Sequence, residues 1–295
     1  MENLLACPHC NFPNFDPFLQ CIDYTVTGEV FNIVSCKKCS LKFTNPRPDQ
    51  NSINKYYESE NYISHSNSSR GLINKIYHFI KNIAIKKKIN LIENLNTKNK
   101  TILDIGCGTG SFLGMIQDKN WGVCGIEPNE KARKIAISNY SVQVFDENKL
   151  NILPKNSFSI ITMWHVMEHV HNLKQRTIDI QNLLEPGGYA LIAVPNHTSW
   201  DANYYGKYWA AYDVPRHLYH FSPETIKQLF NQSELKHIKS QPMKFDSFYV
   251  SLLSEKYKKS FLKLFNAFFI GLFSNVTALN NAEKYSSVIY IFQKQ

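Results

Sequence analysis

Four groups of residues in this chain have types and spacings that could do chemistry. The first is a set of cysteines. Cys7 and Cys10, in "CPHC", and Cys36 and Cys39, in "CKKC", form two Cys-x-x-Cys pairs with 25 residues between them. Two such knuckles on facing turns bring four thiolates to a tetrahedron, the arrangement Zn2+ prefers. A redox pair would sit beside a βαβ unit, and none is near. A closed four-thiolate site leaves no open position, so the set predicts a zinc that supports folding and not catalysis. Cys21, Cys107 and Cys124 are scattered.

The second group is a glycine loop. "TILDIGCGTGSFLGM", residues 101–115, runs from an apolar strand through Asp104 to Gly106, Gly108 and Gly110, then into a helix. The spacing is GxGxG and not GxGxxG, and no Gly-Lys-Ser/Thr follows, so this is not a phosphate-cradling P-loop. Glu127 ends the next apolar run, "GVCGIE", 21 residues after Gly106. An acid there bonds the two hydroxyls of a ribose, and its charge disfavours a 2′-phosphate. Loop and acid together predict an adenosine-type site.

The third group is His165, Glu168 and His169 in "WHVMEHV". If a helix begins there, the i, i+3, i+4 spacing puts all three on one face. The fourth is His217 in "DVPRHLYHFS". Its imidazole titrates near neutrality and could take a proton from an attacking hydroxyl or carbon acid. Arg216 beside it could meet a phosphate or carboxylate.

The elements that must position these groups follow from periodicity. Residues 1–45 form one compositional unit, read as a small zinc-binding ribbon. Residues 46–98 read as a polar linker, with "YYESENY" inside, and a helical segment. In that segment Leu72, Ile73, Ile76, Phe79, Ile80 and Ile83 recur at helical spacing. From 99 to 295 short apolar runs alternate with helical ones, which predicts an α/β domain with a mostly parallel sheet. Two insertions interrupt it, at 196–221 and 247–284. The first crowds Trp200, Tyr204, Tyr205, Tyr208, Trp209 and Tyr212 together, a composition suited to a sugar, a flat ring or a lid. "SPETIKQLFNQ" predicts a helix with Ser222 as cap and Pro223 at its first position. The second insertion carries Phe261, Leu264, Phe265, Phe268, Phe269 and Leu272 on one helical stripe, with lysines leading. Most such stripes face a core. The alternative is an in-plane membrane contact through 256–273 that reaches a lipid-linked substrate.

Composition narrows the class. The chain has 295 residues, 43% of them hydrophobic, which suits a soluble globular protein. No apolar run is long enough for a membrane span, and "MENLLACPHC" has no basic segment followed by an apolar stretch, as a secretory signal would. A cytoplasmic protein is expected. The net charge of +9 invites a nucleic-acid reading. The excess is mostly lysine, clustered at 81–100 and 256–263, and reads as solvated helix faces instead.

"LDIGCGTGSFL", "VCGIEPNEKAR", "SIITMWHVMEHV" and "LEPGGYALIAVPN", in that order, resemble the successive motifs of class I S-adenosylmethionine-dependent methyltransferases. The likeness covers roughly residues 100–195. It implies a Rossmann-like seven-stranded sheet with its last strand antiparallel. It implies S-adenosylmethionine as cofactor, with Asp104 near the methionine amino group, Glu127 on the ribose and Asp146 approaching the adenine. A sulfonium with a zwitterionic tail also suits a loop with an acid at its mouth better than a pyrophosphate does. Ser159 departs from the family, which usually has Asp there, and a modest effect is expected. The "HVMEHV" segment resembles that of ubiquinone-pathway O-methyltransferases, which have Glu where His165 stands and use the trio with a divalent metal. By that likeness His165, Glu168, His169 and His217 would form a second metal site, with the histidine shifting preference from Mg2+ toward softer metals. Methyltransferases of sugar and surface-polysaccharide pathways resemble this chain in carrying a zinc knuckle and an "NPRP" segment ahead of the catalytic domain. The leading expectation is O- or C-methylation of a small molecule, such as a sugar, a glycan precursor or a lipid-linked intermediate. The runner-up is an RNA or protein methyltransferase that uses the knuckle to bind its partner. No NPPY-like motif for base N-methylation follows the fourth strand, and nucleic acid is disfavoured.

Overall fold

The computed structural model describes residues 1–58 and 72–295, without the side chains of 72–79. Residues 59–71 and the side chains of Leu72, Ile73, Ile76 and Phe79 therefore lie outside the described residues. The main sheet has seven strands: β4 (Thr101–Ile105), β5 (Gly122–Ile126), β6 (Gln143–Phe145), β7 (Phe158–Trp164), β8 (Leu184–Pro195), β10 (Leu235–Pro242) and β11 (Ser287–Lys294). Their order is β10-β11-β8-β7-β4-β5-β6. β4 is parallel to β5 and β7, and β7 is parallel to β8. β11, the last strand, is antiparallel to both its neighbours. Central strands read as continuous apolar runs because helices cover both faces. β7 is buried from Phe158 to Met163.

The chain leaves β4 toward β5 on one side, while β7 and β8 lie on the other. The carboxyl ends of β4 and β7 thus flank a switch point in strand order, where open α/β sheets form their crevice. The glycine loop and the "WHVMEHV" segment lie side by side there, with Asp104 in register with Thr162. Helix α1 (Leu72–Glu93) packs Ile85, Ile89 and Ile92 into the same core cluster as Ile102 and Leu113. Helix α2 (Ser111–Gln117) follows the glycines, α3 (Glu130–Tyr140) follows β5, and α4 (Leu173–Leu183) leads into β8. Ser159 clasps the central strands: its hydroxyl donates to Thr101 O at 2.8 Å and accepts from Thr101 N at 3.1 Å.

The N-terminal residues form a second sheet of β1 (Phe15–Ile22), β2 (Val30–Cys36), β3 (Lys42–Thr44) and β9 (Tyr219–His220). Its fourth strand comes from just after His217, far along the chain. One continuous core cluster runs from Cys7, Phe31 and Phe43 to Ile105, Ile192 and Val288. The N-terminal sheet therefore shares its core with one face of the main sheet.

Three expectations change. His165, Glu168 and His169 do not share a helix face. His165 has φ +57°, and only a single 3-10 turn, Met167–His169, follows. The carbonyl of Glu168, which would accept the i+4 amide in a helix, accepts Leu218 N–H at 2.8 Å instead. The aromatic insertion, which contains α5 (Trp200–Tyr205), spends Tyr205, Trp209 and Tyr212 on packing: all three are buried. Trp209 Nε1 donates to the buried Asp201 at 2.8 Å. Last come α6 (Pro223–Asn231), α7 (Asp246–Tyr257) and α8 (Lys263–Thr277). α6 starts as expected, with Ser222 as cap and Pro223 first, though Thr225 and not an acid completes its capping box. The apolar stripe of α8 does not face a core. It is solvent-exposed, because α8 packs through Ala267, Gly271 and Ser274. A Cβ on Gly271 would lie 2.9 Å from the Phe248 backbone, so the two helices meet at a separation only a small residue allows.

Candidate functional site

At the glycine-loop end, three acids close three adjacent strands. Asp104 lies in β4, Glu127 follows β5, and Asp146 follows β6. Gly106 has φ +76°, and a Cβ there would come within 2.4 Å of Val166, so the loop passes tightly under the chain leaving β7. Gly108 also has positive φ, but no atom lies within 4 Å of where its Cβ would be. The loop is therefore walled on one side and open on the other, as a ligand cradle requires. Gly110 is the N-cap of α2, also at positive φ.

The acids differ in environment. Asp104 is buried and accepts the Thr162 hydroxyl at 2.6 Å. Burial lifts its carboxyl to about 7, against the opposing pull of Thr162 and Lys88. Lys88 is held down to about 8 by burial, with Asp104 and Asp246 opposing, and its Nζ sits 4.2 Å over the Trp164 ring. Lys81 donates to Ser111 Oγ at 3.0 Å. These two members of the 81–100 lysine cluster thus face the site and are not a solvated surface. Glu127 accepts the amides of Gly108 at 2.8 Å and Asn129 at 2.9 Å, while burial raises its pKa. Asp146 is more exposed. It caps the turn after β6 by accepting Asn148 N–H and pairs with Arg133 at 3.0 Å.

Beyond the end of β7, Glu168, His169 and His217 converge, with one ligand atom from each within 4.8 Å of the others. His165 stands apart from that trio. Its Nε2 meets Asp246 Oδ2 at 3.0 Å and its Nδ1 lies 3.5 Å from Glu168 Oε1. Burial disfavours its charge, but Asp246 and Glu168 outweigh it and hold the imidazole up at about 9. Glu168 is fully buried and neither carboxylate oxygen accepts a hydrogen bond, since the His165 contact is too long for one. His217 Nδ1 lies 2.8 Å from Ala211 O, and His169 Nδ1 lies 3.0 Å from Arg216 O. A carbonyl can only accept, so each Nδ1 carries a proton and Nε2 is the atom of each ring left to act as a ligand. Burial, reinforced by His217, holds His169 down at about 4 and therefore neutral. One ionised carboxylate and two imidazoles, each with Nε2 turned away from its carbonyl partner, make a donor set suited to a divalent transition metal.

The N-terminal sheet builds the floor of this trio. Thr44 Oγ1 donates to His217 O at 2.9 Å, and the Tyr57 hydroxyl lies 2.9 Å from His169 Nδ1. Arg216 is not free to meet an anion. Its guanidinium is buried and bonded to Asp213, to Asp23 at 3.1 Å and to Tyr56 O at 2.9 Å. It is a strut between the N-terminal sheet and the 213–217 loop. The four cysteine sulfurs of the knuckles also lie within 4.8 Å of one another, with Cys7–Cys39 and Cys10–Cys36 each at 3.5 Å. Tetrahedral Zn2+ sets sulfurs about 3.8 Å apart at its usual bond lengths. Both knuckles fold alike. The amides of Asn11 and Ser40 donate to Cys7 O and Cys36 O, and both residues have positive φ.

Sequence reasoning missed Lys88, Tyr57, Asp23, Asp213 and Asp246. Asp213 had a signal, an acid four residues before His217. Asp246 had none, because it reaches His165 from the start of a helix 81 residues further along the chain.

A family model described as a methyltransferase domain matches residues 78–240. The ubiquinone biosynthesis O-methyltransferase of Coxiella burnetii is 26% identical over 128 residues, which is 41% of this chain and 53% of that protein. The protein of the same name from Rickettsia prowazekii is 26% identical over 165 residues, covering 50% of this chain and 62% of the other. The chain thus spans about half the length of the curated relatives it matches. A SAM-dependent methyltransferase from Archaeoglobus fulgidus superposes with a TM-score of 0.50 at 21% identity, over 71% of this chain and 93% of that one. Phosphoethanolamine N-methyltransferase 2 of Haemonchus contortus, solved with S-adenosyl-L-methionine, gives 0.52 at 15% identity, over 86% and 61%. At such identities these structures share the fold.

Proposed function

We propose that the chain, which belongs to the methyltransferase-domain family, is an S-adenosylmethionine-dependent methyltransferase that O-methylates a small hydroxyl-bearing acceptor. The acceptor sits at a divalent-metal site made by Glu168, His169 and His217. One observation carries the reading: a buried carboxylate neither of whose oxygens accepts a hydrogen bond, facing two imidazoles whose outer nitrogens are fixed by carbonyls. Among the described residues, His165 at 3.5 Å is its one cationic neighbour and is shared with Asp246, and a buried carboxylate left without hydrogen bonds is costly unless a further cation completes it.

S-adenosylmethionine, when bound, supplies an electrophilic methyl group on a positive sulfur. A divalent cation, when bound, makes an acceptor hydroxyl more acidic. The chain's residues do the rest. Asp104 offers a buried negative charge to the cofactor's ammonium, and Glu127 offers its carboxylate to the ribose hydroxyls. Asp146 stands at the adenine side. The open face over Gly108 is the cradle in which this fits. Glu168, His169 and His217 hold the acceptor's oxygen side. His165, kept cationic by Asp246, stands between the two ends and orients Glu168. Methyl transfer needs nucleophile, carbon and sulfur nearly in line, so positioning is the main task. Cys7, Cys10, Cys36 and Cys39 hold a structural zinc that fixes the floor beneath His217. Resemblance to sugar-pathway methyltransferases and to ubiquinone-pathway relatives points to a sugar, glycan precursor or lipid-linked metabolite as acceptor.

The test follows a labelled methyl group. The protein is incubated with methyl-labelled S-adenosylmethionine and a deproteinised, RNA-depleted small-molecule extract of its own cells. The expected product is a small molecule heavier by one methyl group, attached as an ether. Label recovered only in RNA or protein when those fractions are restored would overturn the reading.

A further inference from the structure

We propose that α8 and the turn before it attach this enzyme to an anionic lipid bilayer, with the helix lying in the headgroup plane. The helix is built the reverse of an ordinary surface helix. Its packed face is small, with Ala267, Gly271 and Ser274, and its outer face is large and apolar. Phe261 is 98% exposed, Leu264 70%, Phe265 60% and Phe268 54%, and Phe269 and Phe273 are exposed beside them. Scattered exposed apolar residues are ordinary; a contiguous patch of this kind marks a partner surface.

Charge selects the partner. Lys256, Lys258, Lys259 and Lys263 are all exposed at the leading end of this surface. No Asp or Glu occurs from Lys256 to Ala282. A second copy of the chain docking through the same face would leave these lysines without a partner, because neither copy carries an acid on the segment. An anionic headgroup layer pairs them directly, while the phenylalanines enter the acyl boundary. Dimensions agree: 15 residues of helix run about 22 Å, and among the described residues no helix is long and apolar enough to cross a membrane. The helix lies on the bilayer and does not span it. Position gives the attachment a use. α8 packs on α7, whose first residue, Asp246, holds His165, so the bilayer face and the acceptor mouth share one support. None of this depends on the metal site proposed above.

Flotation of the full chain with vesicles tests it. One set is phosphatidylcholine alone, the other phosphatidylcholine with phosphatidylglycerol at two to one. Association should be about tenfold or more stronger with the second set and should fall in high salt, as basic interfacial helices behave. Phe265→Glu with Phe269→Glu should abolish it while S-adenosylmethionine affinity is retained, which reports an intact fold. Lys259→Glu with Lys263→Glu should remove the preference for phosphatidylglycerol. The proposal is overturned if wild type does not distinguish the vesicles, or if both variants bind as wild type does. It is equally overturned if wild type ignores vesicles but sediments as a dimer that the phenylalanine variant splits.

Discussion

The two ends of the crevice are built in opposite ways. The glycine-loop end draws Asp104, Gly108, Glu127 and Asp146 from some forty consecutive residues, about the span of two βα units, at the ends of three adjacent strands. The acceptor end draws Tyr57, Glu168, His169, His217 and Asp246 from four distant parts of the chain. Its geometry is set by struts such as Arg216–Asp23 and Thr44–His217. The first end depends on the main sheet and on α1, with Thr162 and Lys88 beside Asp104. The second exists only while the N-terminal sheet stays docked. The contrast predicts that damage to that sheet disables the acceptor end and spares the cofactor end.

Losing the knuckle is the harshest way to break this comparison. Structural zinc sites contribute on the order of 10 kcal/mol to local folding. Cys36→Ser should therefore unfold β1–β3 and abolish methyl transfer, and metal analysis, expected to give one zinc per wild-type chain, should give near none for the variant. S-adenosylmethionine affinity should change only a few-fold by calorimetry. An equal loss of cofactor binding would show that the ends are not separable. Arg216→Met comes next. It leaves Asp23 buried without its partner, and breaking such a pair costs about 3–5 kcal/mol. Denaturant unfolding should show that loss, and Arg216→Lys should recover little, because one ammonium cannot replace a guanidinium that reaches Asp23, Asp213 and Tyr56 at once.

Asp104→Asn acts on the opposite end. Removing a charge-assisted bond costs about 1.5–3 kcal/mol, so cofactor affinity should fall roughly ten- to hundredfold with the fold intact. The wild-type pH dependence sharpens this. Asp104 is lifted to about 7 by burial, above the unfolded value of about 3.9. The proton is thus bound more tightly in the folded chain. Without cofactor, this group's contribution to stability is fully present below about pH 4 and is lost as pH rises through 7. Cofactor affinity should run the other way, falling as pH drops through 7 and the carboxylate is neutralised. In Asp104→Asn that slope should disappear. The smallest effect belongs to Ser159→Ala. It removes the clasp to Thr101 and should cost about 1 kcal/mol of stability with cofactor affinity unchanged.

The same contrast decides how much could be read from the sequence. The glycine loop, Glu127, the strand alternation and the antiparallel last strand follow from local pattern or from family motifs confined to 100–195. The two knuckles are equally local, and their sulfurs do meet. The acceptor end was half legible. His169 and His217 were singled out, but the helix expected to align His165 with them fails, because Glu168 gives its carbonyl to Leu218. No periodicity in the segment encodes that distant partner. Arg216 reads in sequence as a ligand contact because its partner Asp23 lies 193 residues away. Lys88 looked like one of many solvated lysines until α1 was seen to lie over Trp164. The apolar stripe on α8 was visible, but whether it faced in or out depended on the small residues behind it.

The central claim is that Glu168, His169 and His217 form a divalent-metal site that serves only the acceptor end. Mn2+ tests it most directly, because four thiolates bind it poorly compared with a carboxylate and two imidazoles. Paramagnetic resonance of free Mn2+ should reveal one site per chain in wild type. Glu168→Gln should lose that site and methyl transfer together, while calorimetry shows S-adenosylmethionine binding within a few-fold of wild type. If Glu168→Gln binds Mn2+ as wild type does, or if chelator-treated wild type transfers methyl at full rate, the trio is not a metal site and the account of the acceptor end is wrong.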